Sequence, residues 1–340
     1  MPSDAGLTNG GAGDMLAPAA RFRADVEALV GPPERLGIAV SGGPDSLALL
    51  LLAHAAFPGT ISAATVDHAL RAGSAAEAAA VAVLCAARGI PHRILERPAD
   101  WPVSGQSAAR DLRYTLLGRW ADELGLAYVA TAHQRDDVAE GFLMRAARGS
   151  GVAGLAAMRA VAPWPVRGAS RARLIRPLLG WSRTELATIA DGFAPATDPS
   201  NADPRYERTH ARALLAAQDW LHADRLARAA TNLREAETAL QWLADEAWRS
   251  RATQAPGGAV TVDAAGLPRE TRRRLVARAL GQLSGEGGDS PVWEGDGLDR
   301  LVDRLDAGAA GTLAGVRATP GERWRFTLAP PRRGSQKHQD

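Results

Sequence analysis

The stretch IAVSGGPDSLALLLL, residues 38–52, joins two apolar runs through two glycines, a proline, an aspartate and a serine. The first run reads as the end of a buried strand over residues 35–41. The second reads as a helix over residues 44–56. The first N–H groups of a helix have no intrahelical partner and sit at the positive end of its dipole, so such a junction favours an anion. Glycine lets the backbone approach that anion closely, and Pro44 suits the first helical turn, where no N–H is missed. The common ATP loop, G-x-x-x-x-G-K-[ST], needs a lysine. The only lysine of this chain is Lys337, which excludes that loop and any lysine Schiff base elsewhere. Nor does this loop match the dinucleotide pattern G-x-G-x-x-G. Asp45 and Ser46 place a carboxylate and a hydroxyl beside the expected phosphate, a donor set suited to Mg²⁺.

The 340 residues are 46% hydrophobic and 23% charged, with a net charge of +2. This describes a globular chain of two or three domains. Cys85 is the single cysteine; within VAVLCAARG it reads as a small core residue, and disulfide frameworks and cysteine-held metal or iron–sulfur sites are excluded. Residues 1–20 have two acids and no basic n-region, so they read as a flexible leader rather than a signal peptide. No apolar run reaches membrane-spanning length. The expected location is cytoplasmic.

Strand and helix signals then alternate. Residues 60–68, 91–96 and 126–133 read as strands. Residues 74–89, 106–124 and 136–148 read as helices, the first opened by a Ser74/Glu77 capping box. The pattern predicts an α/β fold with a doubly wound parallel sheet. Ligands of such sheets bind beyond the carboxyl ends of the strands, and SGGPDS, VDHALR and HQRDDVAE all fall at such ends. A second capping box, Ser182 with Glu185, opens a short helix. Residues 210–250 are nearly continuously helical, with Trp220, Leu226, Leu233, Leu240 and Trp242 spaced for a core face. Helical character returns over 268–283, and GTLAGVRAT (311–319) and RWRFTLAP (323–330) read as two strands. The expected domains are a leader (1–20), a nucleotide domain (21–215), a helical domain (216–285) and a small terminal unit (286–340).

SGGPDS resembles the pyrophosphate loop of the PP-loop, N-type ATP pyrophosphatases, which split ATP into AMP and pyrophosphate. VDHALR (66–71), SAARDLRY (107–114), TAHQRDDVAEGFLMRAARGSGVAGLAAM (131–158), IRPLLGWSR (175–183) and DPSNADPRYER (198–208) extend the likeness to the tRNA(Ile)-lysidine synthetases, over roughly residues 35–212 and in that family's order. The resemblance implies ATP-dependent attachment of L-lysine to C2 of the wobble cytidine of an isoleucine tRNA with a CAU anticodon. It implies an adenylated tRNA intermediate and release of pyrophosphate and AMP. ATP would be held by Ser41, Gly42, Gly43, Pro44, Asp45, Ser46, Arg71 and His133, with Asp45 on Mg²⁺. Lysine would be held by Asp137 and Glu140 with Arg113 nearby, and Asp45, Arg113, Asp137 and Glu140 would carry the chemistry. Physically, Asp137 and Glu140 are an i,i+3 carboxylate pair on one helix face, suited to a cationic substrate. Asp136 completes three carboxylates in five residues, although acids also suit a helix start as dipole partners.

The chain departs from the family pattern at Gln134, Gly141 and Thr209. Gly141 within a helix costs about 1 kcal/mol against alanine. Eight arginines and no acid occupy residues 142–184, a candidate polyanion surface from which Arg145, Arg148, Arg171 and Arg173 are the expected tRNA contacts. A second cluster runs from Arg269 to Arg278. The expected partners are the tRNA and lysine, with no membrane and with a homodimer as a candidate assembly. The competing readings are a PP-loop enzyme acting on a small molecule, which would not need the arginine stretch, and a non-enzymatic RNA-binding relative, which would not need the complete loop. A tRNA thiolase would need more cysteine.

Overall fold

Leu36 and Ile38 are fully buried, and the helix that follows, Pro44–Ala56, is apolar over most of its surface; Leu49, Leu50 and Leu52 have no exposure. Such a helix must lie inside a layered structure. The computed structural model describes residues 15–68, 73–98, 101, 105–156, 158–193, 207–285 and 296–330. The chain divides into two units, Met1–Arg234 and Glu235–Asp340.

The elements of the first unit run α1 (Leu16–Val30), β1 (Leu36–Ala39), α2 (Pro44–Ala56), β2 (Ile61–Asp67), α3 (Ser74–Ala86), β3 (His92–Glu96), α4 (Gly105–Glu123), β4 (Tyr128–Ala130), α5 (Arg135–Ala147), α6 (Val152–Leu155), β5 (Val161–Ala162), β6 (Arg173–Ile175), α7 (Arg183–Ile189) and α8 (Glu207–Ala217). The sheet order is β3-β2-β1-β4-β6-β5. All its pairings are parallel except β5 with β6, as the alternating pattern predicts. From β1 the chain builds outward to β2 and β3, then returns to place β4 on the other side of β1. That reversal is the topological switch point, where doubly wound sheets open a crevice. α1, α2 and α7 share one apolar cluster with the sheet. Truncating a leucine of α2 there costs about 2–5 kcal/mol.

The second unit contains most of α9 (Ala223–Arg251), then β7 (Ala252–Ala255), β8 (Ala259–Val262), α10 (Arg269–Ser284), α11 (Gly297–Asp306), β9 (Gly311–Leu313), β10 (Val316–Thr319) and β11 (Trp324–Leu328). Its sheet, in the order β7-β8-β11-β10-β9, is antiparallel throughout. Val260, Val262, Leu275, Leu280, Leu301, Val316 and Phe326 share its core.

Several expectations change. α1 begins at Leu16, inside the stretch read as leader, because Ala19, Phe22 and Val26 bury one face. The Ser74/Glu77 capping box does not form: Ser74 is already helical, and its hydroxyl donates to Asp67 Oδ1 at 2.7 Å. The Ser182/Glu185 box does form, with Ser182 N–H donating to Glu185 Oε2 at 2.7 Å and Glu185 N–H to Ser182 Oγ at 3.2 Å. Trp220 and Trp242 are not core residues; they are 70% and 60% exposed, and the buried positions of α9 are Ala230, Ala244 and Ala247. Helical spacing identifies a face but not which face is covered. Residues 252–262 form strands where the sequence offered none, and 311–319 is a hairpin rather than one strand. Ala314 and Gly315, both at positive φ, turn the chain there in the manner of tight hairpins. Among the described residues, no helix is long and apolar enough to cross a membrane.

Candidate active site

The loop after β1 and the loop after β4 flank the switch point. Gly42 takes a φ of 84°, open to glycine at little cost, and this lets the chain reverse between strand and helix. The Ser46 hydroxyl closes the loop. It accepts from Ser41 N–H at 3.1 Å and donates to Gly43 C=O at 2.8 Å, and the Ser41 hydroxyl lies 3.2 Å away. The helical hydrogen bonds start with Leu47 N–H on Gly43 C=O. The N–H groups of Asp45 and Ser46 therefore have no intrahelical partner and can face an anion.

Asp45 Oδ1 is buried with no hydrogen-bond partner. Burial, then the Asp137 charge, push the Asp45 carboxyl up to about 6, with Arg183 opposing. Gln134 comes near enough to oppose that rise, but its Nε2 is itself buried without a partner. An orphaned, hard carboxylate oxygen at a phosphate loop fits Mg²⁺, which takes one or two carboxylates and completes its shell with phosphate and water. No group of three or more metal-binding side chains occurs among the described residues, so the protein contribution would be small.

Opposite the loop, Gln134 caps α5. Its Oε1 accepts from Asp136 N–H at 2.6 Å, while its own N–H donates to Asp137 Oδ2 at 3.1 Å. Burial raises the pKa of Asp137, opposed by that backbone N–H and by Arg208; Glu140 adds to the rise. Glu140, fully buried, is placed differently. Arg183 Nη2 donates to its Oε1 at 2.8 Å, Arg212 Nε to the same oxygen at 3.0 Å, and Arg208 Nε stands 3.7 Å from Oε2. Burial would raise the Glu140 pKa, but the hydrogen bonds from Arg212 and Arg183 hold it below the ordinary value. Asp137 meets Arg183 Nη2 only at 3.9 Å from its Oδ1, whereas Glu140 is hydrogen-bonded by two arginines and approached by a third.

His133 sits beside this cluster, its Nδ1 2.9 Å from Thr131 Oγ1. Burial, then Arg176, Arg113, Arg110 and Arg208, press its pKa down to about 3. It is a neutral imidazole among cations, a setting for an anion. Arg113 stacks on Tyr114 at 5.1 Å and also lowers the pKa of His68. Arg71 and the residues 198–206 lie outside the described residues.

The arginines of 142–184 do not form one surface. Arg176 is buried and donates to Arg159 C=O at 2.6 Å, Arg183 holds Glu140, and Arg148 pairs with Glu207. Arg171 and Arg173 are exposed. In the second cluster, Arg269, Arg272, Arg274 and Arg278 pair with Asp299 and Asp303, Asp306, Glu237, and Asp245, so its charge is largely neutralised within the unit. The sequence reading missed Arg110, Arg176, Arg183, Arg208 and Arg212 as members of the site. For Arg110, Arg176, Arg183 and Arg208 the signal lay only in the quoted motifs; Arg212 falls in none of them, and spacing alone cannot bring residue 212 to residue 140.

A phosphate loop after the first strand, faced across the switch point by a carboxylate cluster, defines the PP-loop class, and the PP-loop domain family matches residues 19–218. The chain belongs to the tRNA(Ile)-lysidine synthase family. It is 44% identical over 303 residues to the tRNA(Ile)-lysidine synthase of Zymomonas mobilis, covering 88% of this chain and 90% of that protein. It is also 44% identical over 323 residues to that of Novosphingobium aromaticivorans, covering 94% and 96%. Among solved structures, the U34-tRNA thiolase NcsA of Methanococcus maripaludis, which carries a [4Fe-4S] cluster, aligns with a TM-score of 0.50 at 17% identity, covering 64% of this chain and 79% of that one. That likeness is one of fold.

Proposed function

We propose that this chain joins L-lysine to C2 of the wobble cytidine of an isoleucine tRNA with a CAU anticodon, consuming ATP. In the first step the cytosine O2 attacks the α-phosphorus of ATP and pyrophosphate leaves. In the second the lysine ε-amine attacks C2, and AMP departs with the former O2. The observation that carries this reading is the adjacency of the two half-sites, since the Asp137 charge pushes up the pKa of the phosphate-loop residue Asp45.

Ser41, Gly42, Gly43, Pro44 and Ser46, with the free N–H groups of α2, bind the pyrophosphate end of ATP. Mg²⁺, held by Asp45, would neutralise phosphate charge there. His133, with Arg113 and Arg110 around it, receives a further anionic oxygen; Arg71 is assigned here from the family motif alone. Asp137 receives a lysine ammonium. Its raised pKa also suits it to take the proton that the ε-ammonium must lose before attack. Glu140 shares in lysine binding only if an arginine gives way, and otherwise it holds Arg183, Arg208 and Arg212 in place. Arg145, Arg148, Arg171 and Arg173 contact the tRNA backbone. The experiment is to follow the nucleotide products. AMP and pyrophosphate should form when ATP and tRNA are both present, and folded Asp45→Ala should lose this by more than ~100-fold, the scale of a removed preorganised charge-stabilising group. ADP as the product, or unchanged AMP from Asp45→Ala, overturns the reading.

A further inference from the structure

Gln134 has no exposure to solvent, and one end of its amide is committed. Oε1 accepts the Asp136 N–H at 2.6 Å. A backbone N–H can only donate, so the amide cannot be turned over, and Nε2 is fixed as the end that faces away from the cap. That donor is buried with no hydrogen-bond partner in the protein. Native proteins rarely leave such a group unpaired. Its neighbour across the switch point, Asp45, carries the complementary orphan, an acceptor at Oδ1. The Gln134 side chain lies close enough to Asp45 to lower its pKa, but the two orphaned atoms are not within hydrogen-bond geometry of a partner. A ligand that presents a cation to one and an anionic oxygen to the other satisfies both, and a magnesium–phosphate unit has that character.

We propose that Gln134 is a substrate contact whose Nε2 donates a hydrogen bond to an oxygen of the ATP phosphate chain. This rests on the ATP reading of the loop. It gives residue 134, where the chain departs from the family pattern, two jobs: one amide end caps α5 and the other binds nucleotide.

The two jobs separate by substitution. Gln134→Glu keeps the shape and the capping acceptor but has no N–H. Gln134→Met keeps the length and loses both. The measurement is equilibrium binding of ATP with Mg²⁺ in the absence of tRNA, alongside thermal melting and the KM for lysine. The expected result is that both variants bind ATP at least tenfold more weakly, with lysine KM changed less than twofold. Only Gln134→Met should melt earlier. Wild-type-like ATP affinity in both variants overturns the proposal and leaves the ATP reading intact. Weakening in Gln134→Glu alone overturns it too, since charge repulsion then explains the loss. Equal loss of ATP and lysine affinity reduces Gln134 to a structural cap. Failure of the wild-type protein to bind ATP at all removes both readings.

Discussion

Gly141 is the surface on which the Arg145 guanidinium lies: a Cβ at position 141 would stand 3.0 Å from Arg145 Nη2 and 3.2 Å from Nη1. The same guanidinium has Nε and Nη2 buried without hydrogen-bond partners. Burial, then Arg208 and Arg148, hold its pKa below the ordinary value. It is a cation among cations that an RNA phosphate would satisfy. Gly141→Ala should therefore push the guanidinium aside. Helix propensity favours alanine by about 1 kcal/mol, so the variant should melt no earlier than the wild type. Its tRNA affinity at fixed salt should fall about fivefold, as in Arg145→Met, with ATP binding unchanged. Wild-type tRNA affinity in Gly141→Ala would remove Arg145 from the interface.

Asp137 and Glu140 should behave differently on neutralisation, although the sequence presents them as a pair. Asp137→Asn removes the carboxylate that Arg183 reaches only at 3.9 Å and should raise the lysine requirement at least tenfold, about 1.4 kcal/mol, while adenylation survives. Norleucine, which lacks the ε-amine, should compete poorly, because a site built for a cation is left with unpaired charge. Glu140→Gln leaves Arg183, Arg208 and Arg212 short of a counter-charge. Its main effect should be on stability, about 2 kcal/mol, below the full cost of breaking a buried pair because these arginines reach solvent. Lysine titration and thermal melting of both variants separate the roles, and equal lysine effects without loss of stability would return Glu140 to the ammonium site.

The tie between α1 and α7 should be pH-dependent. Burial, the largest single influence, opposes it, but the Ser182 hydroxyl and N–H, with Arg21 at 2.7 Å, together outweigh it and hold the Glu185 carboxyl down to about 2. A folded-state pKa below the unfolded one stabilises above the unfolded value, and the stabilisation is lost as pH falls through the folded value. Glu185→Gln should thus cost about 1 kcal/mol at pH 7, kept small by solvent screening, and nothing near pH 2. Chemical denaturation at the two pH values checks this; a cost that persists at the acid end would mean that shape rather than charge makes the tie.

Much of the first unit was legible because its signals are local. The run from Ile38 to Leu52 carries the strand, the glycine turn and the buried helix in contiguous residues, and Ser182/Glu185 encodes its own cap. Ser74 has the same capping letters but spends its hydroxyl on Asp67, a partner no local pattern reveals. The phosphate loop was readable for the same reason. The arginines around Glu140 and His133 were not, because they come from α4, the region after β6, α7 and α8, and only the tertiary fold brings them together. Trp220 and Trp242 have core spacing but lie exposed, while small alanines take the covered positions. In the sequence Gln134 is no more than a departure from the family pattern; its fixed amide and unpaired donor are visible only in three dimensions.

The most direct measurement of the central claim is transfer of isotopically labelled lysine to tRNA in the presence of ATP and Mg²⁺, followed by digestion of the recovered tRNA to nucleosides. The account predicts one labelled nucleoside, a cytidine that has gained lysine less one water, confined to isoleucine tRNA with a CAU anticodon, with one AMP formed per lysine attached. No label in tRNA from a folded protein that binds ATP, label in several tRNAs, or lysine attached through an ester at the tRNA terminus would contradict it.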